Sequence, residues 1–121
     1  MNRKHIGVDI IEISRVRQAI DRWGEHFLKR IFTDSELHLY RSRPESLAVR
    51  FAGKEAAIKA LSPTTAPISW REVEILSENN GKPSVHLYGQ AQERAKEFGL
   101  SGLEISLSHS REYAIALVIG F

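Results

Sequence analysis

The sequence predicts a single α+β domain over residues 1–121, with an N-terminal strand and a run of helices packed on a largely antiparallel sheet. Three observations carry this. The first 61 residues pass from one short strand pattern into helical periodicities. Ser62-Pro63-Thr64-Thr65-Ala66-Pro67 then interrupts every regular pattern, and the remainder alternates with period two around one polar helix. A hydrophobic share of 42% suits one globular core and excludes disorder and collagen-like chains.

Taken in order, His5 to Ile11 reads as a strand with Gly7 at a tight backbone approach. Ser14 is placed to cap a first helix ending at Gly24, whose buried face is predicted as Val16, Ala19, Ile20 and Trp23. A second short helix covers Glu25 to Ile31. Thr33-Asp34-Ser35-Glu36 has the capping-box pattern and opens a third toward Tyr40. Pro44 suits the first turn of a long helix, Pro44 to Leu61, striped by Leu47, Phe51, Ile58 and Leu61, with alanines allowing close packing. After the proline-interrupted loop, Val73 and Ile75 alternate with Glu72 and Glu74 in a half-buried strand. Asn79 to Pro83 is a hairpin turn and Ser84 to Tyr88 the return strand. Gln90 to Phe98 is a polar helix stopped by Gly99, and Glu104–His109 and Tyr113–Ile119 are the last strands.

No apolar run approaches the roughly 20 residues of a membrane span, and the N-terminus lacks a secretory pattern. With no cysteine, disulfides and thiolate metal sites are excluded, and a cytoplasmic protein is expected. The formal charge of +2 is too mild to argue for nucleic acid. Its distribution is uneven. Residues 1–61 hold twelve basic and eight acidic side chains, and residues 62–121 hold five and seven. A basic first half suits an anionic ligand or an acidic protein, or else is a solvated, salt-bridged surface.

Asp9 stands between Val8 and Ile10 in an apolar strand, where a carboxylate needs a partner, a hydrogen bond or a metal. Glu55 stands at the edge of the long helix's apolar stripe. Two isolated carboxylates suit Mg²⁺, which takes one or two protein carboxylates beside waters and substrate phosphates. The alternative is that Asp9 caps a helix and Glu55 pairs with Lys59 at i,i+4. Arg50 and Lys54 share a helix face, where like charges repel unless an anion lies between them. Gly53 beside them costs about 1 kcal/mol against alanine, which implies close packing or close approach of a ligand. His109 falls on the inward side of its strand, with Ile105 and Leu107, at an end where it can bind phosphate, shuttle a proton or serve structure. Lys82 sits on the hairpin turn. Arg15 and Arg22, seven residues apart on the first helix, form a face that either meets an acidic partner helix or is simply solvated.

These segments together resemble the holo-acyl-carrier-protein synthases, small bacterial 4′-phosphopantetheinyl transferases. The matching stretches are GVDIIEISR (Gly7 to Arg15), FTDSE (Phe32 to Glu36), RFAGKEAAIKA (Arg50 to Ala60), NNGKP (Asn79 to Pro83) and SLSHSREYAIA (Ser106 to Ala116). They run in family order over nearly the whole chain. The resemblance implies the 4′-phosphopantetheinyl transferase fold and a Mg²⁺-dependent transfer of 4′-phosphopantetheine from coenzyme A to a serine of apo-acyl carrier protein. Adenosine 3′,5′-bisphosphate is the other product, and the setting is fatty acid biosynthesis.

The resemblance assigns the metal to Asp9 and Glu55, and it makes Lys59 the lysine that neutralises the pyrophosphate or protonates the leaving group. It places Arg50, Lys54, Lys82, Pro83, His109 and Ser110 around coenzyme A. The carrier serine needs a base, for which Glu55 or a metal-bound water is the candidate. Because carrier proteins are acidic, Arg15 and Arg22 become the docking face. Homotrimers with active sites between subunits are implied as well. Two departures stand out: Gly53 replaces a frequent alanine, and residues 62–67 replace a glycine-rich loop. The competing reading is a non-catalytic module that binds coenzyme A or another nucleotide and regulates an acidic partner.

Overall fold

A computed structural model describes residues 5–61 and 67–121. Its elements are strand β1 (Ile6–Glu12), helices α1 (Ile13–Trp23), α2 (Glu25–Ile31), α3 (Asp34–Tyr40) and α4 (Pro44–Ala60), and a 3₁₀ turn at Trp70–Glu72. Strands β2 (Val73–Ser77) and β3 (Pro83–Leu87), helix α5 (Gly89–Glu97), and strands β4 (Leu103–His109) and β5 (Tyr113–Gly120) follow. The predicted order holds, and the α+β class with antiparallel pairing is the observed one. The expectation for Ser62 to Ala66 lies outside the described residues; Pro67 is exposed.

The strands form two antiparallel sheets, β1-β5-β4 and β2-β3, where the sequence suggested one. β3 runs beside β4 without ladder bonds. In the larger sheet Asp9 is opposite Ala116, which is opposite Leu107; two pairs further along, His109 is opposite Ala114.

Helix α4 crosses the inner face of this sheet and is the axis of the molecule. Ala52, Ala56, Ala57 and Ala60 are at most 2% exposed, and they meet Ala116 and Val118 of β5 in the main core cluster. Small side chains on both surfaces permit a short helix–sheet distance. Gly7 sets the limit: a Cβ there would lie 1.8 Å from the Ala56 carbonyl oxygen, so only glycine lets β1 lie on α4. Gly53 has a packing reason, not a ligand. An added Cβ would meet Ile75 Cδ1 at 2.5 Å and Ile105 Cδ1 at 3.0 Å.

The helix ends follow local chemistry with one correction. Thr33 and Glu36 form the predicted reciprocal capping box on α3, and Pro44 occupies the first turn of α4. Ser14, however, lies inside α1; the strand runs to Glu12, which is the N-cap and makes no side-chain cap bond. The buried face of α1 is Ile13 and Val16, while Trp23 is 56% exposed at the helix end. Periodicity marks an apolar position but not whether the next element reaches far enough to cover it. Glu72 closes a local capping box with Ser69, accepting from its N–H, and its other oxygen accepts from Gln90 N at the start of α5, a cap that local sequence does not show.

Candidate active site

Gly7 and Asp9 point to the same face of β1, two residues apart, and the close approach at Gly7 aims Asp9 at the last turns of α4. There Lys59 Nζ donates to Asp9 Oδ1 at 2.9 Å and to the Val8 carbonyl at 3.2 Å. Glu55 stands one helical turn before Lys59, half-buried, and no hydrogen bond among the described residues reaches it. Burial, reinforced by the nearby Asp9 charge, raises the proton affinity of the Glu55 carboxyl; Lys59 opposes the shift. The hydrogen bond to Asp9, with its charge, in turn raises the pKa of Lys59.

Two predicted alternatives are thereby removed. Asp9 caps no helix, and Lys59 pairs with Asp9 and not with Glu55. Two carboxylates within electrostatic range, one of them free of hydrogen bonds, form a donor set that fits a hard oxygen-seeking cation. Among the described residues no group of three or more histidines and carboxylates converges, so the remaining ligands of such an ion would be water or substrate.

Arg50 and Lys54 do not belong to this site. Lys54 is fully buried and ion-paired with Glu36 at 2.8 Å, and it donates to the carbonyls of Trp70 and Val73. Arg50, 5% exposed, donates from Nε to the Ile75 carbonyl at 3.0 Å and from Nη2 to Ser77 Oγ at 3.0 Å, with its guanidinium over the Tyr40 ring. The expected place of Lys54 on coenzyme A is corrected on this ground, because every Lys54 donor is already spent inside the chain, whereas Arg50 engages Ser46, Ile75 and Ser77 with three of its five donors. The anion their spacing called for is the protein's own Glu36.

Glu36 does more than close the capping box of α3. Its Oε1 accepts from Thr33 N and Lys54, and its Oε2 accepts from Ile75 N at 2.7 Å, joining α3, α4 and β2. Glu74 extends the network, accepting from the hydroxyls of Thr33 and Tyr88. The only local signal at Glu36 was the capping box itself, which does not report the lysine from α4. Desolvation pulls the Lys54 pKa down, and Glu36 opposes it.

The remaining predicted residues are spread over the surface. His109 is exposed at the end of β4, with Nδ1 3.3 Å from the Ser110 carbonyl. The Ser110 hydroxyl accepts from the amides of Glu112 and Tyr113 and so shapes the β4–β5 turn. Lys82 lies at the other end of β4, 3.4 Å from Glu104, while Pro83 begins β3. Glu104 and His109 are five residues apart, roughly 17 Å at strand rise. One chain therefore does not gather Lys82, Pro83, His109 and Ser110 beside Asp9. Arg15 and Arg22 are exposed on α1, as expected, with Arg15 3.6 Å from Glu12 and Arg22 over the Trp23 ring.

Comparisons with known proteins show the family and the fold. A profile of the 4′-phosphopantetheinyl transferase superfamily matches residues 5–118. A holo-[acyl-carrier-protein] synthase of Dehalococcoides mccartyi is 56% identical over 115 residues, covering 95% of this chain and 96% of that protein. The chain belongs to the holo-[acyl-carrier-protein] synthase family. It is thus an enzyme of the transferase class.

Another holo-[acyl-carrier-protein] synthase, from Herpetosiphon aurantiacus, is 46% identical over 94% of this chain and 95% of its own length. The crystal structure of the Helicobacter pylori synthase in complex with coenzyme A superposes with a TM-score of 0.85. It is 32% identical, covering 96% of this chain and 99% of that one. The family's fold is the fold observed here.

Proposed function

We propose that this chain transfers 4′-phosphopantetheine from coenzyme A to a serine of apo-acyl carrier protein, releasing adenosine 3′,5′-bisphosphate, in the cytoplasm and in the service of fatty acid biosynthesis. The observation that carries the reading is the meeting of Asp9, Glu55 and Lys59 at the α4–β1 crossing. In a chain of this family these are the groups a diphosphate transfer needs. The related Helicobacter pylori structure holds coenzyme A.

Asp9 and Glu55 would hold Mg²⁺, which neutralises the diphosphate and the charge on the departing bisphosphate. The serine oxygen attacks the phosphorus next to the pantetheine arm. The bond from that phosphorus to the bridging oxygen breaks, and the serine proton leaves. Glu55, or a water on the cation that it would hold, takes this proton. Lys59 delivers positive charge, or a proton, to the oxygen of the leaving bisphosphate. Phosphoryl transfer rests mainly on such positioning and charge neutralisation.

A homotrimer with sites between subunits is part of the proposal. Ile6, Val8 and Ile10 of β1 and Ile115, Leu117 and Ile119 of β5 are 42–61% exposed on the outer face of one sheet. An apolar sheet face of this kind supports burial against other copies. Shared sites also give a role to Lys82 and His109, which stand far apart in a single chain. Arg15 and Arg22 supply the docking face for the acidic carrier.

Mass spectrometry of apo-carrier protein incubated with this chain, coenzyme A and Mg²⁺ tests the proposal. The carrier should gain one phosphopantetheine on serine. Coenzyme A binding with no mass gain would instead assign the chain to the non-catalytic nucleotide binders.

A further inference from the structure

Lys59 holds Asp9 from the solvent side. Its side chain is 55% exposed, whereas the Asp9 side chain is 15% exposed and fixed on a strand. The movable partner is therefore the amine, at the end of a flexible four-carbon stem. The oxygen it occupies, Oδ1, is one of the few anionic oxygens that the crossing presents to a cation; Asp9 Oδ2 and the Glu55 carboxylate are the others. An ammonium and a divalent cation on one carboxylate oxygen repel each other strongly. The Val8 carbonyl gives the amine a second acceptor and keeps it beside β1, where it also offsets the repulsion between Asp9 and Glu55.

We propose that Lys59, besides its contact with the leaving group, couples cation binding to substrate binding: its ammonium holds Asp9 until a diphosphate draws it away, so a divalent cation binds tightly only together with the diphosphate-bearing substrate. This rests on the reading that Asp9 and Glu55 hold the cation. Lys59 then has two stations, the Asp9 carboxylate and a phosphate oxygen. Moving to the second frees the oxygen that the cation needs. Linkage makes the effect reciprocal: the cation must tighten coenzyme A by the same factor.

The test is titration of Mn²⁺ into the full chain, read from the resonance of free Mn²⁺, with and without saturating coenzyme A. Carrier protein is omitted, so nothing turns over. In the wild type, coenzyme A should tighten Mn²⁺ by about tenfold, within the roughly 5–150-fold range of site–site couplings. Lys59→Met should bind Mn²⁺ alone about threefold more tightly than the wild type, and its coupling should fall by about the same factor, to about threefold, which is the share left to direct ligation of the cation by the diphosphate. Lys59→Arg, which keeps the charge, should stay near the wild type. A mere loss of positive charge would tighten Mn²⁺ equally with and without coenzyme A. That unchanged ratio, or an unchanged Mn²⁺ affinity in Lys59→Met, overturns the coupling role and leaves the metal site standing. A wild type that binds no Mn²⁺ beside coenzyme A, or Asp9→Asn binding like the wild type, overturns both.

Discussion

Helix α4 carries two lysine–carboxylate pairs of nearly equal length and opposite character. Lys54 and Glu36 meet at 2.8 Å with both side chains fully buried, while Lys59 and Asp9 meet at 2.9 Å with the lysine 55% exposed. In the first pair every donor and acceptor is engaged within the chain, across α3, α4 and β2. In the second a further carboxylate, Glu55, stands beside the pair without a hydrogen bond among the described residues. A buried pair that is fully satisfied fixes structure, whereas a rim pair with a spare carboxylate can exchange partners. The two lysines are five residues apart in one motif, and only their surroundings separate their roles.

The largest expected effect falls on the open pair. Asp9→Ala or Glu55→Gln should lower phosphopantetheine transfer by about 10³-fold, equivalent to several kcal/mol of barrier, with the melting temperature nearly unchanged. Transfer assays at saturating Mg²⁺ check this, and full activity would reject the metal assignment. The closed pair should respond in stability. Glu36→Gln or Lys54→Met alone should cost about 3–5 kcal/mol in denaturant unfolding, because each leaves a buried charge unpaired. The double variant should recover most of that loss; additive losses would show that the pair does not act as a unit.

Gly7→Ala should cost about 1–3 kcal/mol and also slow transfer, since its Cβ meets Ala56 backbone and pushes Asp9 away from Lys59. Gly53→Ala should stay within about 1 kcal/mol of the wild type, because its Cβ meets the movable ends of Ile75 and Ile105 while gaining helix propensity. Equal effects at the two glycines would break the contrast between a backbone neighbour and movable side-chain neighbours. Smallest is the docking face: Arg15→Glu with Arg22→Glu should raise the carrier KM by about tenfold, with little change for coenzyme A, as expected for exposed steering charges.

Much of this arrangement was legible in the chain. The capping box at Thr33–Glu36, the proline at the head of α4 and the period-two strands are local signals, and they appear where local chemistry puts them. The isolation of Asp9 in an apolar strand and of Glu55 on an apolar helix marked both as unusual. Other readings failed where distance matters. Lys54 looked like an anion ligand because spacing reports its helix face but not the Glu36 that covers it. Trp23 looked buried because periodicity cannot tell where a covering neighbour ends.

The sequence by itself determined the order of elements, their caps and breaks, and which side chains were chemically out of place, because those depend on interactions within a few residues. Only the tertiary structure decided which lysine meets which carboxylate. Asp9 and Lys59 are 50 positions apart, and Glu36 and Lys54 are separated by α3 and most of α4. Their pairing depends on how closely helix and sheet approach. That approach is set by Gly7 against Ala56 and by the alanines between α4 and β5, contacts that form only when the whole core closes.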